Sequence, residues 1–180
     1  MQNEQQLLAG IRQLDNEALT EVHKLYYPAI FRYIALRVGG HEIAEDLTSE
    51  VFVRLLNAVN ERSAPSRTLR GWLYGVASRV VADFHRQRYR EEKVQADIRE
   101  NDESTDPAAA VSQRQTLKEL STAVSQLTSE QQEVIALRFG SGMPIRQVAE
   151  TIGKSEGAVK QLQARAVAKL STLMTARSGG

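Results

Sequence analysis

Helical periodicity is the feature that most constrains this sequence of 180 residues, because apolar residues recur every three to four positions through much of it. Such spacing collects them on one face of an α-helix. Series of this kind begin at Leu19, Ile43 and Leu69 in the first half, and at Leu117 in the second half. No segment requires the two-residue alternation of a strand. The sequence therefore predicts an all-α protein.

An acidic stretch divides the helical segments into two groups. Residues 94–110, "VQADIRENDESTDPAAA", contain five acids, one arginine and few bulky apolar residues. A segment of that composition cannot build a core, and its charge resists collapse. We therefore predict two small helical domains joined by a flexible acidic linker. The N-terminal domain is expected over residues 1–93, the linker over 94–112 and the C-terminal domain over 113–176.

The segment "IRQVAETIGKSEGAVKQLQARAVAKL", residues 145–170, is typical of two short helices joined by a tight turn. Gly153 supplies the left-handed turn residue, Ser155 can cap the second helix, and Ala149 is small where the helices would cross. This pattern matches a helix-turn-helix, whose second helix enters the major groove of DNA. Helical hairpins with a glycine turn also occur as ordinary core packing, so this segment alone leaves both interpretations open.

A basic segment lies at the end of the first half. Residues 62–93 carry eight Lys and Arg against three Asp and Glu, and residues 67–90 interleave six arginines with aromatic side chains. Arginines and rings together favour single-stranded or melted nucleic acid, because guanidinium groups hold phosphates while rings stack on bases. We assign Trp72 and Phe84 to the core. The alternative to a nucleic-acid-binding surface here is a basic helix face that contacts only solvent. The candidates for the exposed face are Arg79, His85, Arg86, Arg88 and Tyr89.

An acidic face is predicted on the helix of residues 41–56, where Glu42, Glu45, Asp46 and Glu50 share one side. These carboxylates have no organised histidine or lysine partner, which favours a solvated face or a docking surface for a basic partner over an active site. The sequence also has no glycine-rich phosphate loop, no nucleophile elbow and no cysteine. We expect no catalytic residue, metal site, cofactor or small-molecule substrate.

The N-terminal residues "MQNEQQLLAG" lack the basic start and apolar run of a secretory signal. No apolar stretch approaches the length that spans a membrane. We therefore expect a cytoplasmic protein without membrane insertion.

Three segments, in order, resemble one family. "AEDLTSEVFVRLL" is similar to the Asp-x-x-Gln-Glu-x-Phe helix of bacterial sigma factors, and "GWLYGVASRVVADFHR" resembles the Trp-Leu…Ile-Ala-Arg-Asn helix that follows it. "LTSEQQEVIALRF" together with the helix pair resembles their C-terminal helix-turn-helix. The short chain with two domains resembles the extracytoplasmic-function (ECF) group, and the resemblance extends from about Leu14 to Leu173.

The resemblance implies a promoter-specificity subunit of RNA polymerase, with an anti-sigma factor as a further expected partner. The first domain would dock on the clamp helices of the polymerase and bind and melt the −10 promoter element. The second would bind the −35 element as duplex, and the flap of the polymerase is a further implied contact of the chain. The implied docking residues are Glu45, Asp46, Glu50 and Phe52. Those for the −10 element are Arg67, Arg70, Arg79, His85, Arg86, Arg88 and Tyr89, and those for the −35 element are Lys154, Ser155, Lys160, Gln161, Gln163 and Arg165.

The sequence departs from the family pattern at several of these positions. Ser49 stands where the family usually has Gln, and Arg79 where Asn is usual. Ala158, Gln161 and Leu162 replace the usual Thr, Ser and Arg, so the promoter sequence cannot be carried over. Two other functions stay open from the residues alone: a stand-alone helix-turn-helix regulator that binds duplex DNA, and a helical adaptor that binds only proteins.

Overall fold

The computed structural model describes residues 2–65, 68–96 and 111–178, which form helices and no strand. The all-α prediction is confirmed. Residues 97–110, which include most of the predicted linker, and Arg67 lie outside the described residues. The helices are α1 Gln2–Arg12, α2 Asn16–Val38, α3 His41–Asn60, α4 Leu69–Ala96, α5 Val111–Val124, α6 Ser129–Ile135, α7 Ile145–Ile152 and α8 Glu156–Ser178, with a π-helical turn at Ala136–Gly140 between α6 and α7.

Local sequence signals set several of the helix ends. Gly39 ends α2 with φ of 76°, and Gly153 joins α7 to α8 with φ of 68°, a region that L side chains rarely adopt. The capping box at Thr128 and Gln131 is present, because the Thr128 hydroxyl accepts the Gln131 amide and the Gln131 side chain accepts the Thr128 amide. Ser155 caps α8 by accepting the amide of Ala158 at 3.1 Å.

The core of the first half lies between α2, α3 and α4. Its fully buried side chains include Val51 and Leu55 on α3 and Leu73 and Val80 on α4. Trp72 and Phe84 pack against the edge of this core, as their place on the apolar face of α4 predicts. Helix α1 closes the core from the other side.

Helix α1 was not among the predicted helices. It buries three side chains against the core, with Ile11 completely inaccessible to solvent. Its apolar residues sit within a short glutamine-rich segment, which makes the amphipathic pattern weak. The other two buried side chains are those of Leu7 and Leu8.

The two halves of the chain share one hydrophobic core. The main cluster continues from the first half into Val134, Leu137, Val148 and Val159 of the second. A smaller cluster around Ala166 is confined to the second half. Helices α4 and α5 also reach into both ends of the segment predicted as linker.

The π-helical turn Ala136–Gly140 faces α2. Ala136, Leu137 and Gly140 are buried, whereas the Phe139 side chain is 56% exposed. A π turn holds an extra residue compared with an α turn and is frequent at functional sites. Here it redirects the chain between α6 and the helix pair α7–α8.

Leu55 and Leu56 offer a matched test of the α3 packing. We expect Leu55→Ala to lower the free energy of unfolding by about 2–5 kcal/mol, because it removes most of a side chain that is only 2% exposed. Leu56→Ala should cost below about 1 kcal/mol, because this side chain is 41% exposed. Urea unfolding followed by circular dichroism measures both values. Equal losses would contradict the orientation of α3.

Candidate DNA and protein interfaces

The helix pair α7–α8 has the packing of a helix-turn-helix. Val148 and Ala149 on α7 are buried against Val159 on α8, and the exposed Gly153 turn lies between the helices. Lys154 donates its amide to the Ala149 carbonyl, which closes the turn. The small Ala149 thus lies at the contact that was predicted for it.

The solvent-facing side of α8 carries Lys160, Gln161 and Arg165, all of them exposed. Within residues 111–178 and the other described ranges, none of these three side chains makes a hydrogen bond or an ion pair. Gln161 and Arg165 are four residues apart and therefore share a face, with Lys160 beside them. These are residue types that bind base edges and phosphates.

The other three residues predicted for the −35 element are engaged within the protein. Lys154 forms an ion pair with Glu130 at 2.7 Å, and Ser155 caps α8. Gln163 is half-buried and accepts a hydrogen bond from Arg138 Nε at 2.9 Å. Arg138 also donates to the Met143 carbonyl, so it ties the segment before α7 to α8. Its role was not apparent from the sequence, because Gln163 lies 25 positions away.

Helix α4 presents a basic outer face. Arg79 is exposed and has no ion pair among the described residues, and the Tyr89 side chain is 69% exposed. Arg86 pairs with Asp83, and Arg88 pairs with Glu92 at 2.9 Å, so their charges are partly balanced on the helix surface.

Arg70 is turned toward the protein. Its backbone amide donates to Glu4 at 3.1 Å, and its guanidinium lies close enough to the Tyr26 hydroxyl to act on it electrostatically. Burial raises the pKa of Tyr26, and the Arg70 guanidinium partly opposes that rise. Arg70 therefore contributes to the contact between α1, α2 and α4.

His85 lies on the basic face of α4, but its ring carries no charge at neutral pH. Its Nε2 lies 3.0 Å from the Arg37 carbonyl oxygen and must carry the proton to donate to it. Burial lowers the pKa of His85. The hydrogen bond to the Arg37 carbonyl partly opposes this shift, and the guanidinium groups of Arg37 and Arg88 add to it. The ring is therefore uncharged at neutral pH and offers no cation to a phosphate.

The outer face of α3 combines charge with apolar surface. Its exposed residues follow one helical stripe that is acidic near the start and apolar near the end. Glu45 lies 3.2 Å from His41, and Glu50 pairs with Arg54 at 2.5 Å. The exposed residues of this stripe are Glu42, Glu45, Asp46, Ser49, Val53 and Leu56.

Phe52 differs from the other predicted docking residues because it is only 9% exposed. Its ring lies 4.9 Å from that of His23 and 5.8 Å from that of Tyr27. Beside it opens an apolar cleft of about 310 Å³, which Leu55 and Leu56 also line. Phe52 therefore forms the floor of a cleft at the end of the α3 stripe.

A buried polar cluster joins the two halves of the chain. Arg37 Nη1 lies 2.5 Å from Glu133 Oε2 and 2.6 Å from the Tyr33 hydroxyl. The Tyr33 hydroxyl donates to Glu133 at 2.8 Å, and Ser78 Oγ contacts the same carboxylate at 3.4 Å. Burial is the main reason that the pKa of Tyr33 is raised, so the hydroxyl keeps its proton. We call Tyr33, Arg37, Ser78 and Glu133 the seam cluster.

The same residues lack the features of two other classes of site. The described part of the chain holds no group of three or more His, Asp or Glu side chains that could bind a metal ion. None of its helices is long and apolar enough to cross a membrane.

Comparison with protein families gives two matches that follow one another along the chain. Residues 22–91 match Sigma-70 region 2, and residues 123–172 match Sigma-70, region 4. The first match contains α3 and most of α4, and the second contains the helix pair α7–α8.

Curated relatives and a solved structure agree with these matches. The ECF RNA polymerase sigma factor BldN of Streptomyces coelicolor is 36% identical over 88% of this chain, which spans 61% of that relative's length. A probable RNA polymerase sigma-C factor of Mycobacterium bovis is 30% identical to this chain. The match covers 84% of this chain and 80% of the length of that relative. The sigma factor RpoE of Bartonella quintana, solved with the anti-sigma factor NepR, shares the fold with a TM-score of 0.63 at 22% identity, over 87% of this chain and 96% of its own.

His85 gives the interface a measurable pH dependence. We expect its NMR titration to give a pKa below 6.5, because burial disfavours the charged ring. Its contribution to folding should be complete above pH 6.5 and be lost as the pH falls through the folded pKa. His85→Gln should therefore show a smaller loss of stability between pH 7.5 and pH 5.5 than the natural protein in urea unfolding. An identical loss in both proteins would contradict this assignment.

Proposed function

The chain belongs to the ECF sigma factors, and from that membership we propose that it directs core RNA polymerase to promoters and opens them for transcription initiation. The observation that best supports this function is the pairing of two basic faces, on α4 and α8, with an acidic and apolar face on α3. A subunit of this kind needs two contacts with DNA and at least one with polymerase.

The α3 stripe fits the polymerase contact. Its exposed carboxylates attract a basic surface, and the cleft floored by Phe52 accepts an apolar side chain from the same partner. Glu45 and Asp46 supply charge, while Glu50 is partly balanced by Arg54. We infer that this stripe binds the clamp helices, and that the C-terminal half contacts the flap.

The α4 face fits the melted −10 element. The Arg79 guanidinium, in the middle of the helix, has no ion pair among the described residues, and Tyr89 offers an exposed ring on which a base can stack. Arg86 and Arg88 add phosphate contacts. His85 shapes the surface without adding charge at neutral pH. Removing a base from the stack costs a few kcal/mol, which these contacts must offset.

The α8 face fits duplex DNA at the −35 element. Lys160, Gln161 and Arg165 would point into or beside the major groove. Lys154 would reach a phosphate at the edge of the groove once DNA displaces Glu130. Ser155 and Gln163 act indirectly, by fixing the start of α8 and its contact with Arg138.

The family also bears on the remaining expectations. Sigma factors are regulatory, non-catalytic subunits, and we infer that this chain has no enzymatic activity of its own. It would act in the cytoplasm, where polymerase and promoter DNA are found. An anti-sigma factor that covers the α3 stripe is a further proposed partner, and the relative solved with NepR has one.

A stand-alone regulator is not favoured. If the protein only bound duplex DNA through α8, the basic face of α4 and the acidic face of α3 would have no function. The match of residues 22–91 to Sigma-70 region 2 is likewise unexplained by that alternative.

Run-off transcription with the cognate core polymerase tests the function directly. On a library of genomic fragments, we expect the protein to produce discrete transcript starts that core polymerase alone does not produce. Asp46→Lys should weaken core binding by about tenfold or more, because it replaces an attractive charge with a repulsive one. Glu21→Lys, an exposed reversal on α2, serves as the control. No specific start with any fragment would refute the proposal.

Arg165→Ala tests the duplex contact. We expect the affinity for the −35 duplex to fall by about 1–3 kcal/mol if the guanidinium makes a two-point contact with a base. Lys169→Ala is a suitable control, because that amine instead donates to the Gln126 carbonyl. Fluorescence anisotropy at fixed salt measures both affinities. Equal affinities for Arg165→Ala and the natural protein would remove Arg165 from the reading face.

A further inference from the structure

Helix α1 makes two polar contacts in addition to its packing on the core. It precedes residues 22–91, the segment that matches Sigma-70 region 2. Its apolar side chains face the core, whereas Glu4 and Arg12 both contact the chain around the junction between α3 and α4. The residues described between these two helices are 61–65 and 68, and we call them the α3–α4 connection.

We propose that α1 holds the α3–α4 connection in position, and that Glu4 and Arg12 are thereby positioning residues for base selection at the −10 element. The role in base selection rests on the proposed function, whereas the holding of the connection does not.

Arg12 holds the middle of the connection. Its Nη2 donates to the Pro65 carbonyl oxygen at 2.8 Å, across 53 positions of sequence. The donor is charged, and such a hydrogen bond is stronger than one between neutral groups. Pro65 is buried and its ring fixes its φ angle, so an anchored carbonyl sets the direction of the backbone at this point.

Glu4 holds the end of the connection, where α4 begins. The Arg70 amide donates to Glu4 Oε1 at 3.1 Å, and the Gly71 amide donates to the Thr68 hydroxyl at 3.2 Å. The first amides of a helix have no partner within the helix, so a local cap and a distant cap each satisfy one of them. The Glu4 carboxylate also lies near the positive end of the α4 dipole, which favours a negative charge.

The start of the connection is fixed by its own backbone. Arg62 has a φ angle of 56°, in a region that residues other than glycine rarely adopt. The Ser63 amide donates to the Ala58 carbonyl at 2.8 Å, which ends α3. The connection is therefore held at its start, at Pro65 and at its end, and the last two of these contacts involve α1.

The held segment leads directly into the α4 face that is proposed to bind the melted −10 element. Arg70, which was predicted for that element, is the residue whose amide Glu4 holds. A base that leaves the stack is read in a pocket that must fit it closely. Binding groups of this kind must be held to within about 0.5 Å by the residues that support them. Glu4 and Arg12 therefore act on base selection through the backbone of the connection and not by contact with a base.

Two measurements on the free protein test the holding of the connection. Hydrogen exchange of the Arg70 amide should be about tenfold or more faster in Glu4→Ala, because the hydrogen bond to a charged group is lost. Trp72, the one tryptophan of the sequence, lies in the first turn of α4. Quenching of its fluorescence by acrylamide should therefore rise in Arg12→Ala, in which the segment before α4 is no longer anchored.

The base preference at the −10 element tests the role in promoter selection. Run-off transcription on a promoter library randomised only in this element gives the relative use of each base. We expect Glu4→Ala and Arg12→Ala each to reduce the preference at the most selective position by about fivefold or more, and to leave the −35 preference unchanged. The preference is a ratio within one preparation, so a smaller folded fraction does not affect it.

Three variants serve as controls for the base preference. Glu4→Gln should keep the natural preference, because the amide oxygen can still accept the Arg70 hydrogen bond. Gln5→Ala and Gln13→Ala, at exposed positions in and next to α1, should keep it as well. If Glu4→Ala and Arg12→Ala lower initiation equally on all −10 sequences, α1 only stabilises the fold or contacts phosphates, and the proposed role in base selection is wrong.

The outcomes separate this proposal from the proposed function. A natural protein that gives no specific transcript start with its core would refute the sigma function. The exchange of the Arg70 amide and the quenching of Trp72 would then still decide whether α1 holds the connection. Natural exchange in Glu4→Ala together with natural quenching in Arg12→Ala would overturn the proposal, whatever the transcription result.

Discussion

One buried charge on α2 constrains the arrangement of the whole chain. Helix α2 contacts α1, α3, α4, α5 and the π-helical turn, and Arg37 lies near its end in a region that excludes water. An unpaired guanidinium in such a place costs several kcal/mol. Glu133 offsets that cost from the other half of the chain, 96 residues away. The first half thus carries a surface that is complete only when the second half covers it.

The parts of the fold that depend on neighbouring residues could be predicted from the sequence. Gly39, Gly153 and the capping box at Thr128 act on the backbone within a few positions, so their effects do not depend on the rest of the fold. The seam cluster could not be predicted in this way. Tyr33 and Glu133 are ordinary polar residues on two amphipathic helices until tertiary packing brings them together.

In the candidate interfaces, too, the placement of some residues follows from the neighbouring sequence, and the placement of others depends on packing against distant helices. Helical periodicity is sufficient to place Lys160, Gln161 and Arg165 on the open side of α8. Residues at the boundary between an apolar and a polar face are harder to assign, because a neighbouring helix decides which way they turn. Phe52 therefore forms the floor of a cleft, and Gln163 accepts a hydrogen bond from Arg138.

The π-helical turn sets the rotation of the helices that follow it relative to α6. This effect depends on the number of residues in the turn and not on their chemistry. Each residue added to or removed from a helix rotates everything beyond it by about 100°. The extra residue at Ala136–Gly140 therefore sets the azimuth at which α7 and α8 leave α6. Loss of one residue there would turn the reading helix to a different side of the molecule with its sequence intact. Chain length at this turn is thus a separate variable through which relatives with the same α8 residues could orient them differently.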